Sequence, residues 1–211
     1  DGTIRAALET GTHLIPFLIR PGRAADKFRI VLHPEGKAML DTHTLDSAAK
    51  DGATLILPDL FGTGETAQAN HTICLHHQLF RQLLWTGRSL IGEWTFDLLA
   101  LINMLRRDCK AEEISVSGIR EAGFAALCAN VFTDKLDRVD TDQTPGSLFF
   151  DYRGTPDLVS ASPFEKFLPG GIYSPALCIP DFLKWGDVSL IAALGHAPVR
   201  FQDMRSFEGR P

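Results

Sequence analysis

Two short aliphatic runs constrain the fold of this chain more than any other feature of its sequence. FRIVLHP (28–34) is almost continuously apolar, and ATLILPDL (53–60) has the same character further along the chain. Strands of this kind are covered on both faces, as in a parallel sheet that lies between layers of helices. A helical pattern, TLDSAAKDG (44–52), separates the two runs and closes at Gly52. The alternation predicts an α/β fold with a doubly wound, mainly parallel sheet.

The same alternation continues through the rest of the chain. Apolar residues recur at helical spacing over 73–85, 90–105, 121–132 and 188–194. Further strands are predicted at HLIPFL (13–18), EISVSG (113–118), RVDTDQTPGSL (138–148) and APVRFQDM (197–204). Residues 151–180 are rich in proline, glycine and serine, which favours an irregular segment. No repeat or linker divides the sequence, so we expect a single domain over residues 1–211.

The composition restricts the partners that this chain is expected to have. Its 211 residues are 45% hydrophobic and 22% charged, which is typical of a globular protein with a sizeable core. A net charge of −5 offers no basic face, so nucleic acid is not expected as a partner. No apolar stretch approaches the length of a membrane span, and a membrane is not expected either. Because the first residue is Asp1, we interpret the chain as a mature form or a piece of a longer protein.

No residue pattern indicates a metal or cofactor. The four cysteines, at positions 74, 109, 128 and 178, form no close pair, and we expect most of them to be buried thiols. HTICLHH (71–77) holds three histidines, but the last two are adjacent and point in different directions on a helix. FGTGET (61–66) is rich in glycine, yet it lacks the lysine of a phosphate-binding loop. We therefore expect no metal and no cofactor.

The segment VSGIREAGF (116–124) has the outline of a nucleophile elbow, the tight strand-to-helix turn that presents a serine in many hydrolases. Small residues stand where such a turn needs them, at Gly118, Ala122 and Gly123. At the apex, however, the chain has Arg120 followed by Glu121. A guanidinium stays protonated and cannot attack an acyl group. The pair is predicted to bind an ion or each other, with a catalytic role for either residue as the alternative.

No other serine is a natural replacement at this turn. Ser115 and Ser117 lie within the predicted strand that leads to it. GRSLIGEW (87–94) contains a Gly-x-Ser sequence, but no strand precedes it and a long helix follows. Ser89 is therefore predicted to cap the start of that helix.

Other polar residues are expected near the same edge of the sheet. His33, Glu35 and Lys37 follow the strand at 28–34, and ligands of open α/β sheets bind at the carboxyl ends of strands. The alternative for these three residues is a solvated loop. In a serine hydrolase of this kind an acid follows a later strand and a histidine comes after it. Asp203 falls in the acid position, but the last histidine, His196, precedes that strand. The sequence thus lacks both the nucleophile and the general base in their expected places.

Taken together, these segments resemble the acetylxylan-esterase and cephalosporin-deacetylase branch of the α/β-hydrolase superfamily. The resemblance rests on HPEGKA, LPDLFGTGET, GRSLIGEWTFDLLALINMLR, the turn at 113–124 and IPDFLKWGDVSLIAALGHAPVRF, and it covers roughly residues 13–204. It implies a doubly wound sheet, here short at its C-terminal side, and deacetylation of carbohydrate esters by a serine, a histidine and an aspartate. It also implies a secreted or periplasmic location.

Position by position, the resemblance implies a degenerate site. The family's serine corresponds to Arg120, its acid to Asp203, and its oxyanion loop to the segment that starts at His33; its histidine has no counterpart. A glutamate after the apex, as at Glu121, resembles a recognisable variant of this group.

Three functions follow as hypotheses. The first is a non-catalytic, ligand-binding module of carbohydrate processing, in which Arg120, Glu121, His33 and Glu35 bind a sugar, for example one that carries a carboxylate. The second is an active carboxylic-ester hydrolase that uses unconventional residues or residues outside this chain. The third is an architectural domain whose pocket is filled by its own side chains.

Overall fold

A seven-stranded sheet forms the centre of the computed structural model, which describes residues 2–67, 77–149 and 175–205. Its strands are β1 (Ile4–Glu9), β2 (Leu14–Arg20), β3 (Lys27–Leu32), β4 (Thr54–Pro58), β5 (Glu113–Ile119), β6 (Arg138–Asp142) and β7 (Val199–Gln202). Their order in the sheet is β1-β2-β4-β3-β5-β6-β7. β1 and β2 are antiparallel to their neighbours, and β4, β3, β5, β6 and β7 are parallel. The predicted, mainly parallel sheet is confirmed.

Helices cover both faces of this sheet. In the described part of the chain they are α1 (Thr42–Ala48), α2 (His77–Trp85), α3 (Leu90–Arg107), α4 (Glu121–Phe132) and α5 (Val188–Leu194). Short 3-10 turns lie at Lys37–Met39, Gly64–Thr66, Pro175–Leu177 and Phe182–Lys184. Ser89 caps α3 as predicted, because its side-chain oxygen accepts a hydrogen bond from the amide of Gly92.

The core has two unequal parts. The larger cluster joins α3 and α4 to the sheet, with Trp94, Leu98 and Phe124 fully buried in it. The smaller cluster lies under α1 and consists of Val31, Leu40, Ala48, Leu55 and Leu57. Both β3 and β4 place buried residues in each of the two clusters, which explains their nearly continuous apolar sequences.

Several element boundaries differ from the sequence predictions. β6 ends at Asp142 instead of reaching residue 148, because Gln143 has a φ of 52° that no strand continues through. β7 likewise ends before Asp203, whose φ is 44°. β1 was not predicted, because only Ala6 and Leu8 of this edge strand are even partly buried. The predictions for residues 73–76 and 151–174 fall outside the described residues.

The prediction that most cysteines are buried is only partly right. Cys109 is exposed, because it lies in the turn just beyond the end of α3. Cys128 lies on α4, and burial raises the pKa of its thiol to about 12. Cys178 is partly exposed, and Cys74 lies outside the described residues.

Candidate functional site

The turn between β5 and α4 has an unusual backbone conformation at its apex. Arg120 has φ 52° and ψ −125°, a region that residues with a side chain seldom occupy. Close approach of strand and helix explains the glycines on either side. A Cβ on Gly118 would lie 2.5 Å from the Cα of Gly123, and a Cβ on Gly123 would lie 2.0 Å from Thr144 Oγ1. The sequence thus places an arginine at the point of a tight strand-turn-helix, as predicted.

Three hydrogen bonds hold this apex in place. The amide of Arg120 donates to the carbonyl of Asp142 at 2.8 Å, which fixes the turn to the end of β6. The carbonyl of Arg120 accepts from the amide of Gly123 at 3.1 Å and from the hydroxyl of Thr144 at 3.1 Å. The backbone strain is therefore offset by neighbouring strands as well as by the turn itself.

The Arg120 side chain lies between two glutamates. Its NH1 is 3.3 Å from Glu35 Oε1, and its Nε is 3.4 Å from Glu121 Oε2. Glu121 is fully buried, whereas the side chains of Arg120 and Glu35 are 23% and 33% exposed. The structure thus brings together three of the residues singled out in the sequence, although they come from the loop after β3 and the start of α4. We call Glu35, Arg120 and Glu121 the arginine cluster.

His33 lies beside this cluster at the end of β3. Its Nδ1 accepts a hydrogen bond from the amide of Glu35 at 3.2 Å, which places the proton of the neutral ring on Nε2. Burial lowers the pKa of His33 below its usual value, and the charge of Arg120 lowers it further, while Glu35 acts in the opposite direction. His33 is therefore a neutral hydrogen-bonding group near pH 7.

Lys37, also singled out in the sequence, supports the loop. Its Nζ lies 2.5 Å from Asp59 Oδ2 and 2.5 Å from Glu65 Oε1, so it joins the loops after β3 and β4. Asp59 is buried, and it also accepts from the amides of Lys37 and Glu65. Gly36 and Gly64 pack closely against this carboxylate: a Cβ on Gly36 would lie 2.7 Å from Asp59 Oδ1, and a Cβ on Gly64 would lie 2.2 Å from the same atom. Lys37 thus has a structural position that fixes the loop carrying Glu35.

Asp203 follows β7 directly, as the acid position requires. Its Oδ2 accepts from Arg205 NH2 at 2.6 Å. Asp142, at the end of the neighbouring β6, has a pKa raised by burial and by the charge of Asp203. Asp203 therefore lies next to the strand end to which the amide of Arg120 is bonded, through the carbonyl of Asp142.

A second polar group was not found from the sequence. Asp97 is fully buried on α3; its Oδ1 is 2.7 Å from His13 Nε2, and its Oδ2 accepts from the amide of Phe61 at 2.7 Å. On the other side of the imidazole, Nδ1 is 3.0 Å from the hydroxyl of the exposed Thr12. Because His13 and Asp97 are 84 positions apart, no local sequence pattern predicts their contact. The one signal was an acid between Trp94 and Leu98, within the apolar surface of α3.

Three further observations concern the described residues outside the arginine cluster. An open cavity of about 460 Å³ lies at the far end of α4, lined by Phe132, Asp134, Lys135 and His196 among others. Among the described residues, no group of three or more histidine, cysteine or acidic side chains is arranged to hold a metal ion. No helix in the described part of the chain is both long enough and apolar enough to cross a membrane.

Comparison with sequences gives no relative. No family model matches this chain, and no curated protein matches it. Neither comparison therefore assigns the chain to a family.

Many solved structures match this chain, and the three that follow share 11–15% of their sequence with it. A provisionally assigned acetyl xylan esterase from Bacteroides fragilis superposes with a TM-score of 0.65 at 14% identity, covering 95% of this chain and 62% of the other. A provisionally assigned dienelactone hydrolase from Klebsiella pneumoniae gives a TM-score of 0.55 at 15% identity, covering 95% and 72%. The structure of DcsB with its substrate analogue gives 0.54 at 11% identity, covering 71% and 47%.

These neighbours are longer than this chain. This chain spans 47% of the length of DcsB and 62% of that of the acetyl xylan esterase. At such low identity the superpositions show the fold alone. The fold implied by the resemblance in sequence is confirmed: the chain has the α/β-hydrolase fold.

Proposed function

We propose that this chain is a non-catalytic α/β-hydrolase-like domain that binds a sugar at the arginine cluster. The observation that carries the proposal is the residue at the apex of the β5–α4 turn. Arg120 occupies the point where a hydrolase of this fold presents its nucleophile, and its guanidinium lies between Glu35 and Glu121. A guanidinium has five N–H donors and no lone pair to attack an acyl carbon.

Glu121 is a poor substitute for the nucleophile. Its side chain is fully buried at the first position of α4, and its Oε2 lies 3.4 Å from Arg120. A carboxylate in this position is directed towards the guanidinium and away from solvent, so a substrate carbonyl has no approach to it. Hydrolysis at this turn is therefore disfavoured on geometry as well as on chemistry.

A sugar that carries a carboxylate fits the accessible side of the cluster. Arg120 and Glu35 are both partly exposed, and their 3.3 Å contact is longer than a strong charge-assisted hydrogen bond. A ligand carboxylate is able to replace Glu35 and pair with the guanidinium in a bidentate manner, while the buried Glu121 stays in place. His33, neutral near pH 7, is available to donate from Nε2 to a ligand oxygen.

Calorimetric titration with oligogalacturonate tests this binding. We expect the wild-type chain to bind, Arg120→Ala to abolish binding, and Glu35→Gln to strengthen it, because the glutamine no longer competes for the guanidinium. The matched control is Arg107→Ala, which removes an exposed arginine far along α3. Binding that survives Arg120→Ala unchanged would contradict the proposal.

A second experiment tests the absence of catalysis at the turn. We expect no hydrolysis of acetylated xylan, and no labelling of the chain by a fluorophosphonate probe at residues 113–124. Turnover that is lost in Glu121→Gln, with the fold retained, would show that the turn is a reacting centre after all.

One observation favours ester hydrolysis at a different place as the second candidate. Thr12, His13 and Asp97 form a hydroxyl–imidazole–carboxylate series with distances of 3.0 and 2.7 Å. In this scheme Thr12 Oγ1 bonds to the acyl carbon while its proton moves to His13 Nδ1, and the alcohol then leaves with that proton. A water molecule next gives a proton to His13 and bonds to the acyl carbon, and the acid is released as that proton returns to Thr12 Oγ1. Asp97 holds the imidazole in the required tautomer, with the proton on Nε2.

This candidate and the first one make opposite predictions for p-nitrophenyl acetate. Ester hydrolysis at Thr12 requires turnover that is lost in Thr12→Val and retained in Arg120→Ala. It also requires an acetyl group on Thr12 in mass spectra of the quenched enzyme. Turnover that is absent, or that Thr12→Val leaves unchanged, excludes the second candidate.

A further inference from the structure

The outer edge of β1 is a second surface of interest, independent of the arginine cluster. β1 is the first strand of the sheet, and within the described residues only β2 pairs with it. Ala6 and Leu8 lie against the core, whereas Arg5, Ala7 and Glu9 face solvent. An exposed edge of this kind is able to pair with another strand, and proteins usually protect it with proline, lysine or a bulge. The sequence IRAALE has no proline or lysine, and its pairing with β2 is regular from Ile4 to Glu9.

The direction of the β1 backbone follows from Pro16. This residue lies opposite Ala7 in β2, and its carbonyl accepts from the amide of Asp59, on the side of β4. Pro16 therefore has no hydrogen bond to offer Ala7, so the two form a non-hydrogen-bonded pair. Because directions alternate along a strand, Arg5, Ala7 and Glu9 all present their N–H and C=O groups to the free edge.

The side chains of the same three residues are self-complementary. In an antiparallel pair of two β1 strands centred on Ala7, Arg5 lies opposite Glu9 of the partner subunit. On the other side of the two-fold axis, Glu9 lies opposite Arg5 of the partner subunit. A pair centred on Arg5 or on Glu9 would instead place like charges opposite each other, which is unfavourable. We infer that β1 pairs antiparallel with β1 of a second copy of this chain, in the register centred on Ala7.

The surroundings of β1 are compatible with this dimer. Arg5 already contacts Glu65 at 2.6 Å, but its side chain is 71% exposed and its guanidinium has further donors for a second carboxylate. Ile4, 54% exposed on the core side of the strand, lies diagonally across from Leu8 of the partner subunit in this register. Since the contact involves a single short strand, we expect a dimer that dissociates on dilution.

Sedimentation equilibrium of the whole chain tests the dimer. We expect a mass that rises with concentration from 23.2 kDa towards twice that value. Glu9→Arg should raise the dissociation constant about tenfold or more, because it changes two symmetry-related pairs at once. Arg5→Glu should do the same. A mixture of the two single variants should associate again, since each then meets opposite charges along the whole strand.

Two more variants make the result specific. Ala7→Pro removes only an N–H that faces the free edge, so it should keep the circular dichroism spectrum and abolish the dimer. Glu112→Arg reverses an exposed charge outside β1 and should leave the dissociation constant unchanged. A wild-type chain that stays monomeric at every concentration, or a dimer that survives both Glu9→Arg and Ala7→Pro, overturns the inference.

Discussion

At the scale of single residues, the buried acids show what holds the carboxyl edge of the sheet together. Asp97 joins the start of β2 through His13 to the loop after β4 through Phe61. The indole of Trp94 donates to the carbonyl of the same Phe61 at 2.9 Å, so α3 contacts this loop twice. Burial raises the pKa of Asp97, while His13 and the amide of Phe61 act in the opposite direction. The carboxylate is thus retained in the core by its two partners.

The first prediction concerns the loss of this carboxylate. Asp97→Ala leaves His13 and the amide of Phe61 without their acceptor, so we expect the free energy of unfolding to fall by about 3 kcal/mol. Urea denaturation followed by circular dichroism measures the change. Asp46→Ala, which removes a largely exposed acid 3.4 Å from Arg20, is the matched control and should change stability by less than about 1 kcal/mol. Equal effects of the two variants would contradict this account of Asp97.

The second prediction concerns the pH dependence that His33 causes. Because burial lowers its pKa in the folded state, the unfolded chain binds a proton at a higher pH than the folded chain does. Stability should therefore decrease as the pH falls below about 6.5, the usual pKa of histidine. His33→Asn keeps an acceptor for the amide of Glu35 but does not titrate, so its stability should decrease less between about pH 7 and pH 5. Parallel curves for the two proteins, from urea denaturation at each pH, would show that His33 is not the cause.

At the scale of elements, the sequence predicts those strands, helices and turns that are determined by residues close together in the chain. β3 and β4 are evident because both faces are apolar, and α4 was predicted with its observed limits because every turn of it is buried. The position of Arg120 followed from glycine spacing, which is a local steric requirement. In contrast, the apolar face of β1 is at most partly buried, and the partners of Asp97 and Asp59 come from distant segments. Such pairings are decided by the folded topology, so no local pattern reveals them.

The third prediction tests the packing of α4 against the sheet. In Gly123→Ala the new Cβ would lie 2.0 Å from Thr144 Oγ1 and 2.9 Å from the carbonyl of Gly118, and backbone must move to relieve the overlap. We expect a loss of stability of about 1–3 kcal/mol, and weaker sugar binding because the apex at Arg120 shifts. Gly92→Ala is the control, since its Cβ would approach only Ser89 Oγ at 3.0 Å and alanine favours the helix. Unchanged melting of Gly123→Ala would show that α4 is not closely packed at this point.

At the scale of the whole molecule, the two faces of the sheet are unequal in their attachment. α3 and α4 share a large buried cluster with the sheet, whereas five buried residues lie in the cluster under α1. Arg29, which lies in β3, compensates in part for the small size of the cluster under α1. Its guanidinium donates to Ser115 of β5, to the carbonyl of Ala48 at the end of α1, and to Asp51 just beyond. The attachment of α1 to the sheet therefore depends more on the hydrogen bonds of this buried arginine than on buried apolar area.

The fourth prediction follows from this inequality. Local opening should cost less free energy for α1 than for α4, because fewer buried apolar contacts are broken when α1 detaches. Native-state hydrogen exchange measures both, and the amides of Leu45 and Ala48 should exchange at a lower opening free energy than those of Ala125 and Leu127. In Arg29→Met the opening free energy of α1 should fall further, by about 2 kcal/mol, because the carbonyl of Ala48 loses its donor. If both helices exchange at one common opening free energy in the wild-type chain, the two layers unfold as one cooperative unit and Arg29 has no separate role in attaching α1.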